Sequence, residues 1–118
     1  MAKIMIVDDS QFMRMRVAKL LSEHGYEVIE AKDGEEAVKT YRSVKPDAVL
    51  MDIAMPRMNG STALTKIRSF DPQAKVIMLT SLGQQTIVME TLQAGAKDFL
   101  VKPYEADQVL AALQKVLN

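Results

Sequence analysis

Five short apolar runs punctuate the chain: Ile4-Met5-Ile6-Val7, Val28-Ile29, Ala48-Val49-Leu50-Met51, Val76-Ile77-Met78-Leu79 and Phe99-Leu100-Val101. None alternates with polar residues, which is the pattern of a strand covered on both faces rather than one with a wet side. Each gap between runs has room for one helix and its loops. Phe12, Val17, Leu20 and Leu21 fall near helical spacing, with Gly25 after His24 as a stop, so the first helix is predicted over residues 10–24. Asp33-Gly34-Glu35-Glu36 has capping-box spacing and opens a second helix to about Ser43, ahead of Lys45-Pro46. Segments 61–69, 84–94 and 105–117 complete the series.

Strict alternation of strand and helix predicts a doubly wound α/β sandwich around a parallel sheet. The 118 residues contain no linker and no low-complexity stretch, so one domain over residues 1–118 is expected. A chain of this length buries roughly two thirds of the surface its unfolded form exposes, and needs no staple. Cysteine is absent, which removes disulfides, thiolate zinc sites and thiol nucleophiles together. The 15 Lys+Arg are matched by 15 Asp+Glu, so no basic excess draws the chain to nucleic acid or anionic lipid. The apolar run before Asp8-Asp9 is too short for a signal peptide or a membrane span. A cytoplasmic protein without membrane or nucleic-acid partners is the expectation.

In a doubly wound sheet, ligands bind beyond the carboxyl ends of the strands. The first strand runs into Asp8-Asp9, the third into Asp52, the fourth into Thr80-Ser81 and the fifth into Lys102-Pro103. Parallel strands deliver all four ends to one edge, where three aspartates and one lysine leave two net negative charges. A dication would cancel them, and magnesium favours such hard oxygen ligands. Taken singly, each residue has a plainer role. Asp8-Asp9 suits a helix N-terminus, Lys102 a solvated surface before a turn proline, and Thr80 and Ser81 strand-end hydroxyls bonded to backbone. Phe99 reads as a packed core residue, the nine methionines chiefly as core filling, and His24 as a cation at a helix end. The conjunction of all four strand ends favours a functional site.

Val7-Asp8-Asp9, Met51-Asp52-Ile53-Ala54-Met55-Pro56 leading to Gly60, Thr80-Ser81 and Lys102-Pro103 together resemble the signature of response-regulator receiver domains, in order and spacing along the whole chain. Phe12-Met13-Arg14, Gly83-Gln84-Gln85 and Gln93-Ala94-Gly95-Ala96-Lys97-Asp98-Phe99 are further similar to the single-domain chemotaxis regulators of the Gram-positive and Thermotoga type. The resemblance implies a flavodoxin-like (βα)5 sandwich with strand order 2-1-3-4-5. It implies a phosphorylation-activated switch in which Asp52 accepts a phosphoryl group from the phosphohistidine of a sensor histidine kinase. Asp8, Asp9, Asp52 and the backbone carbonyl of Ala54 would hold Mg2+, for which Mn2+ can substitute. Lys102, the Thr80 hydroxyl and backbone amides after Asp52 and Thr80 would bind the phosphoryl oxygens.

By the same resemblance Thr80 and Phe99 form the switch pair. The readout surface would be the fourth helix, fifth strand and fifth helix, carrying Gln84, Gln85, Lys97, Phe99, Tyr104 and Asp107. The implied effector is the flagellar motor switch, with a relay intermediate or a receiver excised from a larger regulator as alternatives. A monomer that catalyses only its own phosphorylation and dephosphorylation is expected, not an enzyme with a separate substrate. A haloacid dehalogenase-like phosphohydrolase shares much of this chemistry, but needs a second aspartate where Ala54 stands, and residues for a substrate cap. A flavin carrier would need a phosphate loop where Asp8-Asp9-Ser10 repels phosphate. An interaction module that kept the fold and lost the chemistry would not need all these groups.

Overall fold

Every apolar run is a strand in the computed structural model, which describes residues 1–118. The strands β1 (Lys3–Val7), β2 (Glu27–Ala31), β3 (Ala48–Asp52), β4 (Val76–Thr80) and β5 (Asp98–Val101) alternate with helices α1 (Gln11–Glu23), α2 (Gly34–Val44), α3 (Gly60–Phe70), α4 (Gln85–Gln93) and α5 (Ala106–Leu117). All pairings are parallel, in the order β2-β1-β3-β4-β5. The architecture is therefore the doubly wound sandwich the alternation predicts, with the strand order the resemblance implies. No helix is long and apolar enough to cross a membrane.

The unbroken apolar runs have a direct cause. Successive side chains point to opposite faces of a sheet, so a strand buried on both sides has no polar positions to spare. Met5, Val7, Val49, Met51, Val76 and Met78 enter the core beneath α2, α3 and α4, with Tyr41, Leu64, Ile67 and Val88. Their neighbours Ile4, Ile6, Ala48, Leu50, Ile77 and Leu79 enter the core beneath α1 and α5, with Leu21 and Leu113.

The edges depart from this pattern. β2 extends past its apolar pair to exposed Glu27 and Glu30. In β5, Phe99 and Val101 are 38% and 39% exposed, so Phe99 is not the core residue the sequence suggests. An edge strand at the end of a helical layer is covered on one side only. The methionines divide likewise: Met5, Met51 and Met78 are buried, Met55 and Met58 pack against the core, and Met15 and Met89 are exposed.

Three helix starts are fixed by side-chain caps one residue outside the helices. Ser10, Asp33 and Asn59 accept the amides of Met13, Glu36 and Thr62, each satisfying a donor that the first turn leaves without a partner. The capping box expected at Asp33 closes differently, because Glu36 accepts the amide of Lys32 rather than that of Asp33. α1 stops at His24, whose ring nitrogen Nδ1 lies 2.9 Å from the Leu20 carbonyl.

One glycine sets the approach of α3 to the sheet. The Gly60 amide donates to the Ile53 carbonyl at 2.7 Å, and a Cβ on Gly60 would collide with the backbone carbonyl of Asp52. Gly60→Ala is expected to lower stability by about 1–3 kcal/mol, the usual cost of forcing atoms into a filled space. A urea denaturation midpoint equal to that of the parent protein would refute this close approach.

Candidate functional site

β1, β3 and β5 deliver Asp8, Asp9, Asp52 and Lys102 to one edge of the sheet. One carboxylate oxygen from each aspartate lies within 4.8 Å of the others. Asp8 and Asp52 are buried, and Asp9 is exposed at the rim. The Lys102 ammonium reaches Asp52 Oδ2 at 3.1 Å and Asp8 Oδ2 at 3.4 Å. Its backbone is tied to the neighbouring strand, the Lys102 amide donating to the Thr80 carbonyl at 2.7 Å. The other oxygen of Asp8 accepts the Ser10 amide at 2.9 Å, which holds the carboxylate at the mouth of α1.

The electrostatics are unequal. Burial pushes the Asp52 carboxyl up to about 6, and the Asp8 and Asp9 charges add to the rise while Lys102 opposes it. A lysine at 3.1 Å therefore does not offset the desolvation and the crowding of acids. Burial alone would lower the Lys102 pKa, but the carboxylates of Asp52 and Asp8 outweigh it and hold the group above the ordinary lysine range.

The donor set suits a hard dication. Three carboxylates converge with neither cysteine nor histidine among them, which favours magnesium or manganese over zinc. The ionised cluster carries more negative charge than Lys102 can offset. Ala54 follows the end of β3 by two residues and is exposed.

Thr80 ends β4 and is buried, but its hydroxyl turns to the side-chain oxygen of Gln84 at 2.8 Å. The first amide after Asp52 is not free for a ligand either, because Ile53 donates to the Leu79 carbonyl at 3.1 Å as the ladder continues. The expectation for amides after Asp52 thus narrows to Ala54, the first residue beyond that ladder. Phe99 flanks a cavity of about 190 Å3 that it shares with Thr80, Leu82, Val88, Met89 and Leu92. Gln85, Lys97 and Asp107 are exposed and Tyr104 is half-buried.

Arg14 is a member of the site that no strand-end pattern reveals. Its guanidinium donates to the Asp8 carbonyl at 2.7 Å and to Glu30 at 3.1 Å, bracing the Asp8-Asp9 turn from α1. Its signals in the sequence are its place in the Phe12-Met13-Arg14 string and its position one helical turn after the Ser10 cap, on the side facing the strand end.

Asp52 makes the fold pH-sensitive with a defined sign. Its folded pKa of about 6 lies above the ordinary aspartate value of 3.8, so the associated stability is full below about pH 4 and is lost as pH rises through about 6. In metal-free buffer at pH 8, Asp52→Asn is expected to be more stable than the parent by about 1–3 kcal/mol. The gap should close toward pH 4, and added Mg2+ should narrow it by stabilising the parent, with its third carboxylate, more than the variant. Parallel pH profiles of the two urea midpoints would contradict this account.

The chain matches known proteins along nearly all its length. The model of the response regulator receiver domain matches residues 4–114. Chemotaxis protein CheY of Bacillus subtilis is 51% identical over 117 residues, covering 98% of both chains. Its counterpart in Thermotoga maritima is 50% identical over 115 residues, covering 97% of this chain and 96% of that one. The solved CheX-CheY-BeF3-Mg2+ complex from Borrelia burgdorferi matches with a TM-score of 0.93 at 39% identity, over 99% of this chain and 90% of that one. With this match, the parallel order and the acidic edge in agreement, the chain belongs to the response regulator receiver domains of two-component signalling and is CheY-like.

Proposed function

We propose that Asp52 is the phosphoacceptor of a chemotaxis switch. The observation that carries this reading is a buried carboxylate 3.1 Å from an ammonium and grouped with two further carboxylates at the end of a parallel strand. A carboxylate oxygen of Asp52 attacks the phosphorus of a phosphohistidine on a sensor histidine kinase. The P–N bond breaks, its electron pair returns to the imidazole, and Asp52 becomes an acyl phosphate. Such a transfer needs little beyond in-line alignment and neutralisation of the equatorial oxygens.

Each residue has a part in that neutralisation. Asp8, Asp9, Asp52 and the Ala54 carbonyl would hold Mg2+, or Mn2+ in its stead, which when bound would supply positive charge to the phosphoryl oxygens. The Lys102 ammonium supplies a second cation, and the Thr80 hydroxyl and the amides of Ala54 and Ser81 donate to the remaining oxygens. The Borrelia relative was solved with both BeF3, a phosphoryl mimic in its shape and charge, and Mg2+. That pairing supports an analogous site here.

The added phosphate brings about 1.5–2 negative charges, which draw Thr80 inward. Phe99 then repacks over the adjoining cavity, and the α4-β5-α5 face changes its affinity for an effector, the flagellar motor switch. The chain acts in the cytoplasm as a monomeric signalling protein and turns over no separate substrate. The resemblance to chemotaxis CheY proteins over nearly the full chain favours the motor over a relay.

Intact mass spectrometry after incubation with acetyl phosphate and Mg2+ tests the site and the metal together. One hydroxylamine-labile phosphoryl adduct is expected, absent in Asp52→Asn and suppressed by a chelator. Lys102→Ala should slow its formation by about 100-fold, the scale of losing one charge-stabilising donor. A folded, Mg2+-saturated protein that gains no mass would rule out the switch.

A further inference from the structure

Gln84 precedes α4 and does not cap it. Ser10, Asp33 and Asn59 spend their side chains on the first turns of their own helices, whereas Gln84 makes no such bond. Its side-chain oxygen instead accepts two donors from the end of β4, the Thr80 hydroxyl at 2.8 Å and the Ser81 amide at 2.7 Å. Those are the two donors that the proposed reaction assigns to phosphoryl oxygens. One neutral carboxamide oxygen already holds both.

The loop between them is built to open. Leu82 is 83% exposed, and Gly83 has a φ of +94° with no atom within 4 Å of where its Cβ would lie. Only Gly adopts that backbone without cost, and open space leaves it free to change. At the other end of the residue, the Gln84 carbonyl accepts the Val88 amide at 2.9 Å and so begins α4. The same residue thus joins the donors at the site to the helix that walls the cavity beside Phe99.

We infer that the Gln84 carboxamide is a built-in competitor of the phosphoryl group, occupying its Thr80 and Ser81 donors until phosphorylation displaces it. The inference rests on Asp52 being the phosphoacceptor and adds a regulator to that site. Hydrogen bonds to a charged phosphoryl oxygen are roughly twice as strong as neutral ones, so the exchange runs toward the phosphoryl group once it has arrived. Before then, the two bonds to Gln84 must break, which weakens capture of the group. After the exchange Gln84 has lost its partners, and the first turn of α4 is released from the site.

Three proteins test this: the parent, Gln84→Ala and Gln84→Glu, each titrated with beryllofluoride at saturating Mg2+ and followed by amide NMR. Removing the acceptor should tighten beryllofluoride binding roughly fivefold to tenfold, the scale of one net hydrogen bond. Gln84→Glu keeps the length and strengthens the acceptor, so it should weaken binding. In metal-free protein, Gln84→Ala should also speed exchange of the Ser81 amide by about tenfold. Unchanged or weaker binding by a folded alanine variant overturns the inference, as does tighter binding by the glutamate variant even where the alanine protein unfolds. If the parent neither binds beryllofluoride nor is phosphorylated at Asp52, the underlying reading fails instead.

Discussion

The contact on which the site depends is the ammonium of Lys102 lodged against the buried carboxylates of Asp52 and Asp8. Two unit charges about 4 Å apart are worth about 4 kcal/mol at an effective dielectric of about 20. One lysine therefore cannot balance two buried acids that also repel each other, and the Asp52 carboxyl rises to about 6. The rest of the edge supports this imbalance with fixed donors. The Ser10 amide takes one oxygen of Asp8, and the Arg14 guanidinium takes the Asp8 carbonyl. A cluster held short of cations is costly to the fold and ready for added positive charge. That is a common arrangement where function competes with stability.

Much of this was legible in the sequence because burial on both faces removes ambiguity from the central strands. Ile4–Val7, Ala48–Met51 and Val76–Leu79 have no polar position that could be anything but an end, and the polar residue ending each run is delivered to the site. The edges were less legible. Phe99 and Val101 belong to an apolar run, but that run cannot tell that β5 has a neighbour on one side only. Gln84 and Arg14 stand in strings the resemblance singles out, but the contacts they make were illegible for a different reason. Each acts through a side chain that reaches back across a turn, and such reach depends on loop geometry rather than on period or strand position. The amide of Ile53 likewise looked available until the register of β3 and β4 assigned it to Leu79.

The two sides of the edge differ in how firmly they are held, and this difference gives the site a direction of response. On the β3 side, the loop after Asp52 is pinned at several points. Gly60 donates to Ile53, Gly34 donates to the Met58 carbonyl at 3.0 Å, and Arg57 pairs with the buried Asp33 carboxylate at 3.0 Å. Asp33 is itself held below the usual carboxylate range, first by the Glu36 amide and further by Arg57, against the opposing effect of burial. Side chains larger than glycine are barred from both Gly34 and Gly60 by backbone atoms.

The β4 side has no comparable restraint. Between Thr80 and α4 lie an exposed leucine and a glycine in open space, closed by the two bonds to Gln84 and a longer contact of the Thr80 hydroxyl with the Ser81 carbonyl at 3.2 Å. Backbone-bonded loops resist displacement, and loops held by a few side-chain bonds open at lower cost. Charge added at Asp52 therefore finds a rigid wall toward α3 and a yielding one toward α4. A symmetric edge would spread the perturbation and dilute it. Under the proposed phosphorylation, a perturbation confined to the β4–α4 side would be directed to the face where Phe99, Leu82 and Met89 surround the cavity, so the same asymmetry that protects the ligand geometry would also select the surface that responds.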